Sequence, residues 1–188
     1  MIRIDDLYIV NYCHPNCAPF QNIMRLPEEE AFALARRLAA ENADTTAFYR
    51  FADFINYYPL RMQADRFLHS AFLSLGGNPK TEHPLSFVLH GSDYLLKWFG
   101  NGLIAKIPLA KIPSEYISFT YGDSSAVLRR GGTPVMVTKE TLAESMRGYR
   151  GTLDEYMKEI AEKHYYIEAQ LWSDDYCAGY THLPYIQK

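Results

Sequence analysis

At 188 residues, with 48% hydrophobic and 22% charged residues, the chain has ordinary globular composition and the length of one domain, and it lacks the run of about 20 apolar residues that spans a bilayer. A net charge of −3 excludes the basic excess by which proteins grip nucleic-acid phosphates regardless of sequence. Three cysteines, an odd number, do not make a disulfide framework, and Met-Ile-Arg-Ile-Asp-Asp at the start does not read as a secretory signal, so a reducing, cytoplasmic setting is expected.

The chain opens with an apolar strand over Leu7 to Tyr12, followed by a Pro-bearing loop through Cys13, His14, Pro15, Cys17 and Pro19. Pro27 suits the start of a helix, Glu28, Glu29 and Glu30 suit its positive end, and Phe32, Leu34, Ala35 and Leu38 supply a helical stripe. A second helical region is predicted from Thr45 to Leu75, broken at Pro59 and ended by Gly76-Gly77-Asn78-Pro79. Strands follow at Leu85 to Leu89, Leu103 to Leu109 and Tyr116 to Tyr121, with a short helix capped by Ser92 running from Asp93 to Phe99. Gly131-Gly132, after Arg129-Arg130, reads as a tight turn between strand-like segments, or as a cradle for an anion. A short run over Pro134 to Val137, helices starting near Thr138 and Thr152, and a last strand from Tyr165 to Trp172 complete the chain; Thr152 to Glu155 has the form of a capping box. The expected class is α+β in a single globular domain over 1–188, with a helical N-terminal half packed on a mainly antiparallel or mixed sheet formed largely by the C-terminal half.

Walker loops, dinucleotide fingerprints, nucleophile elbows and metalloprotease helices are absent from the sequence. Cys13, His14 and Cys17 are soft ligands at close spacing, and Cys177 or His182 would complete a tetrahedral zinc site if the termini met; the paired-ligand spacing does not recur, so no metal is assigned. Arg50, Asp53 and Tyr57 fall at helical spacing and, with Tyr58 and Arg61, form either a solvated, internally paired helix face or a Tyr/Arg surface suited to a protein partner. The 15 tyrosines among 14% aromatic residues suit interfaces and stacking pockets as well as cores, and a homodimer through such a surface is within reach.

A strand end Phe87-Val-Leu-His90-Gly91-Ser92, the segment Ser118-Phe-Thr-Tyr121-Gly-Asp-Ser124 and the strand Tyr166-Ile-Glu168-Ala-Gln-Leu-Trp172 place His, Tyr and Glu on successive strands, with Gly102-Leu103 between. This order resembles that of the His-Tyr-Glu ADP-ribosyltransferases. The resemblance implies that His90 and the Gly91 backbone hold the ribose and amide of NAD, with Ser92 and Ser118 beside them, that Tyr121 or Phe119 stacks on the nicotinamide, and that Glu168 stabilises an oxocarbenium-like transition state. Read without it, His90 is a turn residue, Tyr121 belongs to the core and Glu168 pairs on the solvent face of an edge strand.

The segments Ile9 to Pro15, Phe48 to Phe54, His83 to Leu89, Ser118 to Asp123 and Tyr166 to Trp172 are also similar to a family of uncharacterised bacterial proteins. That similarity implies a bacterial or mobile-element origin and carries no activity. Two readings follow: a binding or regulatory module acting on a protein or small molecule through a Tyr/Arg-rich surface, and an NAD-dependent transferase or glycohydrolase using His90, Tyr121 and Glu168.

Overall fold

The computed structural model describes residues 2–180. They form an α+β fold in which six strands make one antiparallel sheet: β1 (Tyr8–Cys13), β2 (Leu85–Leu89), β3 (Leu103–Pro108), β4 (Ile117–Tyr121), β5 (Met136–Thr138) and β6 (Ile167–Leu171), in the spatial order β3-β1-β2-β6-β4-β5. β6 pairs with β2 on one side, Val88 opposite Glu168, and with β4 on the other, Thr120 opposite Glu168. All five residues of β6 are buried.

The described residues also form six α-helices: α1 (Glu28–Glu41), α2 (Phe54–Ser74), α3 (Asp93–Trp98), α4 (Ser124–Arg129), α5 (Lys139–Gly148) and α6 (Leu153–His164). Successive side chains in a strand point to opposite faces, and the two faces differ in chemistry. One face is apolar: Ile9, Phe87, Leu89, Ile107, Ile117, Phe119, Ile167, Ala169 and Leu171 pack with Leu142 and Met146 of α5 and Tyr156 of α6. The other face meets α2. Leu68 and Phe72 of that helix pack on Trp172, but Ser86, Ser118, Thr120, Glu168 and Gln170 give the rest of this face a polar character. Outside α2, Ala31 and Ala35 of α1 pack on Phe54.

Local chemistry explains most element ends. Thr138 and Thr152 cap α5 and α6, the latter in a full capping box with Glu155, while Ser92 and Asp123 cap α3 and α4. Two local expectations are corrected. The helical region from Thr45 does not break at Pro59; it begins as 3-10 turns at Thr46–Phe48 and Phe51–Asp53, and α2 then runs unbroken through the proline. Pro59 lies so near the start of α2 that it forfeits one bond, to the carbonyl of Ile55, a residue 72% exposed whose carbonyl water can serve. Gly131-Gly132 does not join strands. Gly131, at φ +77°, ends α4, its N–H donating to the Leu128 carbonyl and that of Gly132 to the Val127 carbonyl.

Candidate functional site

His90 follows the end of β2 in the left-handed region, at φ +60°. Its N–H donates to the Tyr8 carbonyl at 2.8 Å, its ring lies 4.8 Å from that of Tyr8, and its Nδ1 is buried without a hydrogen-bond partner. Burial, with help from Lys106 and against Asp154, lowers the imidazole's proton affinity and favours the neutral ring. Gly91 stands at φ +106°, where a Cβ would come within 3.1 Å of the Tyr12 hydroxyl. That hydroxyl accepts from the Ser92 N–H at 2.7 Å, and Ser92 Oγ caps α3 through Leu95 N–H. The three residues thus turn the chain from strand to helix.

Tyr121 packs against the apolar core, its ring 5.5 Å from that of His164. Glu168 points the other way. Its Oε2 accepts from Thr120 Oγ1 at 3.2 Å and from the Ser124 N–H at 3.0 Å, on the face covered by α2. Because the sheet is pleated, Thr120 and Tyr121 project to opposite faces, so the Tyr121 ring and the Glu168 carboxyl start from opposite sides of the sheet. Glu168 is not a solvent-facing residue of an edge strand, for β6 is internal and Glu168 is 8% exposed.

A connected polar layer surrounds Glu168. Ser118 Oγ donates to Gln170 Oε1 at 2.9 Å and accepts from Trp172 Nε1 at 2.9 Å, while Gln170 Nε2 donates to Thr120 Oγ1 at 2.9 Å. Across from it, Arg61 of α2 reaches Ser86 Oγ at 3.3 Å and Ser125 Oγ at 3.5 Å. Arg61 Nε lies 3.0 Å from Asp65 Oδ1, an ion pair out of line for a hydrogen bond, and Asp65 Oδ2 lies 2.7 Å from His83 Nδ1. Burial works against the charge on Arg61, yet Asp65, then Tyr57, Glu168 and Asp123, hold its pKa above the usual value. Burial, then Asp123, pushes the Glu168 carboxyl up from its usual 4.5, against the Ser124 hydrogen bonds and Arg61. The layer orders the α2–sheet contact. Two surface hollows of about 420 Å³ lie elsewhere, one lined by Lys111, Ser114, Lys139 and Glu140 among others, the second by Glu28, Glu29 and Phe32.

Of the five residues expected to share a surface, Arg50 and Tyr57 come together: the Arg50 guanidinium lies 4.7 Å over the Tyr49 ring and 5.7 Å over the Tyr57 ring, whereas Tyr58 packs on Phe32 and Phe54. Asp53 accepts from Asn56 Nδ2, and Arg61 turns inward to the polar layer. Arg50 makes no ion pair among the described residues. Its surface continues through rings that the sequence did not single out. Tyr49 lies 5.6 Å from Trp98, Trp98 lies 5.9 Å from Tyr94, and Tyr94 lies 5.7 Å from Tyr165. Tyr49 and Tyr94 are each 48% exposed and Tyr165 is 67% exposed. Burial, then Tyr165, Asp123 and Tyr49, raises the Tyr94 phenol's pKa, which places these groups within electrostatic reach of one another.

Cys13, Cys17 and Cys177 are free thiols. Burial, with Cys17 adding to it, pushes Cys13 up to about 12. Among the described residues no group of three or more His, Cys, Asp or Glu is placed to hold a metal ion, and His182 lies outside those residues. Among them, too, no helix is long and apolar enough to cross a membrane. No family model, curated protein or solved structure matches the chain.

Proposed function

We propose that this chain is a non-enzymatic binding module that receives a polypeptide partner on the surface formed by Arg50 and the row Tyr49, Trp98, Tyr94 and Tyr165. The observation that carries this is Arg50, held over two tyrosine rings, without an ion pair among the described residues, and continuous with three exposed tyrosines. Tyrosine, tryptophan and arginine combine large contact area with polar groups and are the residues that dominate polypeptide recognition. A catalytic reading through NAD would need His90, Tyr121 and Glu168 to face one ligand, and the opposite orientations of Tyr121 and Glu168 favour binding over that chemistry. A cytosolic setting is supported by three free thiols. A second copy of the chain is the other polypeptide such a surface suits.

The test is selection from a displayed random-peptide library on the immobilised protein, alongside Arg50→Ser and Tyr94→Ser. Peptides that bind the wild type and are lost on both variants support the reading. Selection that yields none, or that is indifferent to both substitutions, overturns it.

A further inference from the structure

The aromatic row is assembled from separate parts of the chain and includes one costly position. Tyr49 and Arg50 lie in the turn before α2, Tyr94 and Trp98 one turn apart on α3, and Tyr165 just after α6. Tyr165, which closes α6, stands at φ +69° and ψ −42°, a positive-φ backbone that residues other than glycine rarely adopt. A side chain there costs about 1–2 kcal/mol. At 67% exposure Tyr165 recovers little of that by burial, and its ring lies against that of Tyr94. Strain retained in order to present an exposed ring marks a surface that does something.

The row is edged by hydrogen-bond donors: the indole N–H of Trp98 and the guanidinium of Arg50 only donate, and the hydroxyls of Tyr49, Tyr94 and Tyr165 can donate as well as accept. Flat apolar faces edged by N–H, O–H and guanidinium donors call for a ligand that is flat, apolar and rich in acceptors. Resting on the reading of this surface as a polypeptide-binding one, we propose that its ligand is a proline-rich segment in the polyproline II conformation. A prolyl peptide offers a carbonyl acceptor and no N–H to be stripped of water, its ring stacks on aromatic faces, and its helix is preformed, so little chain entropy is lost on docking. Three ring-to-ring steps of 5.6 to 5.9 Å give the row a contour length just short of two turns of that helix, each about 9 Å. Asp93 beside Tyr94 and Asp123 within electrostatic reach of it set the surface against a polyphosphate ligand.

Trp172 is fully buried and Trp98 is half-buried, so a change in tryptophan emission on adding ligand reports on the row. The protein is titrated with an oligoproline peptide, a Gly-Ser peptide, a polyglutamate peptide and oligothymidylate. The expected result is a saturable change with oligoproline alone. By calorimetry, Tyr94→Ala and Tyr165→Gly each weaken that binding by about tenfold or more. Tyr165→Gly also holds or raises Tm, because glycine relieves the positive-φ strain, so its loss of binding is not loss of folding. Oligoproline binding no tighter than the Gly-Ser peptide overturns the proposal, as does tighter binding of polyglutamate or oligothymidylate. If the displayed library still yields other peptides that depend on Arg50 and Tyr94, the polypeptide-binding reading stands without the proline preference; if it yields none, both fall.

Discussion

Tyr121 and Glu168 belong to paired strands and point away from each other, Tyr121 into the apolar core and Glu168 into the polar layer beneath α2. A single bound dinucleotide would have to reach both faces of the sheet to use the two. NAD is expected to leave Tm unchanged in the wild type and in Glu168→Gln alike, in a thermal-shift titration. A saturable rise in the wild type that Glu168→Gln abolishes would contradict this.

Asp65 and Arg61 illustrate how position sets the worth of an ion pair. Asp65 is fully buried and Arg61 is 16% exposed, and removing one partner strands the other charge. Asp65→Ala is expected to cost about 3 kcal/mol or more in urea denaturation. Arg3, paired with Asp6 where both are mostly exposed, provides the contrast. Arg3→Ala should change stability by less than about 1 kcal/mol. Equal effects at the two sites would refute the argument.

Glu168 makes stability depend on pH with a definite sign. Its folded pKa lies above the usual 4.5, so the folded chain holds the proton where the unfolded chain has released it. The free energy of unfolding then falls as pH rises through that window, and the contribution is whole only below the lower value. Glu168→Gln keeps acceptor capacity for Ser124 and Thr120 without the titration. Its Tm should gain on that of the wild type as pH is raised from about 4.5, in paired melts. A difference that does not vary with pH would exclude this role.

The thiols should be inert in the folded chain. Burial holds Cys13 at about 12 and Cys177 at about 11, and it raises Cys17 as well. Thiolate is the reacting species, so alkylation by iodoacetamide near neutral pH should be much slower in native than in urea-unfolded protein, as counted by mass spectrometry. Fast native labelling at Cys17 would show that its loop opens.

The elements whose signals are local were legible in the sequence. Thr152 with Glu155 marks a helix start within four residues, and the clustering of β-branched and aromatic residues over Tyr116 to Tyr121 marks a strand. What could not be read is which face a polar residue meets. Nothing beside Glu168 in the sequence announces that β2 and β4 flank it, or that Arg61 arrives from a helix more than a hundred residues earlier. The aromatic row failed to show for the same reason: Tyr49, the Tyr94–Trp98 pair of α3 and Tyr165 are far apart along the chain, and tyrosine abundance alone does not say which of them meet. The Pro59 expectation failed because the penalty for a proline depends on where the helix begins, and the 3-10 turns before α2 set that start.

The strand order carries a consequence for how the molecule is made. Without β6 the sheet is two disconnected pieces, β3-β1-β2 and β4-β5, since β2 and β4 do not pair with each other. The segment that joins them, Ile167–Leu171, follows every other strand of that sheet in the sequence. Until it is made, both inner edges stay unpaired and open to intruding strands, and closing contacts of such long sequence separation is slow. The hazard in producing this sheet should therefore lie in the interval before β6 is available to pair, and a chain cut short of Ile167 should aggregate rather than fold.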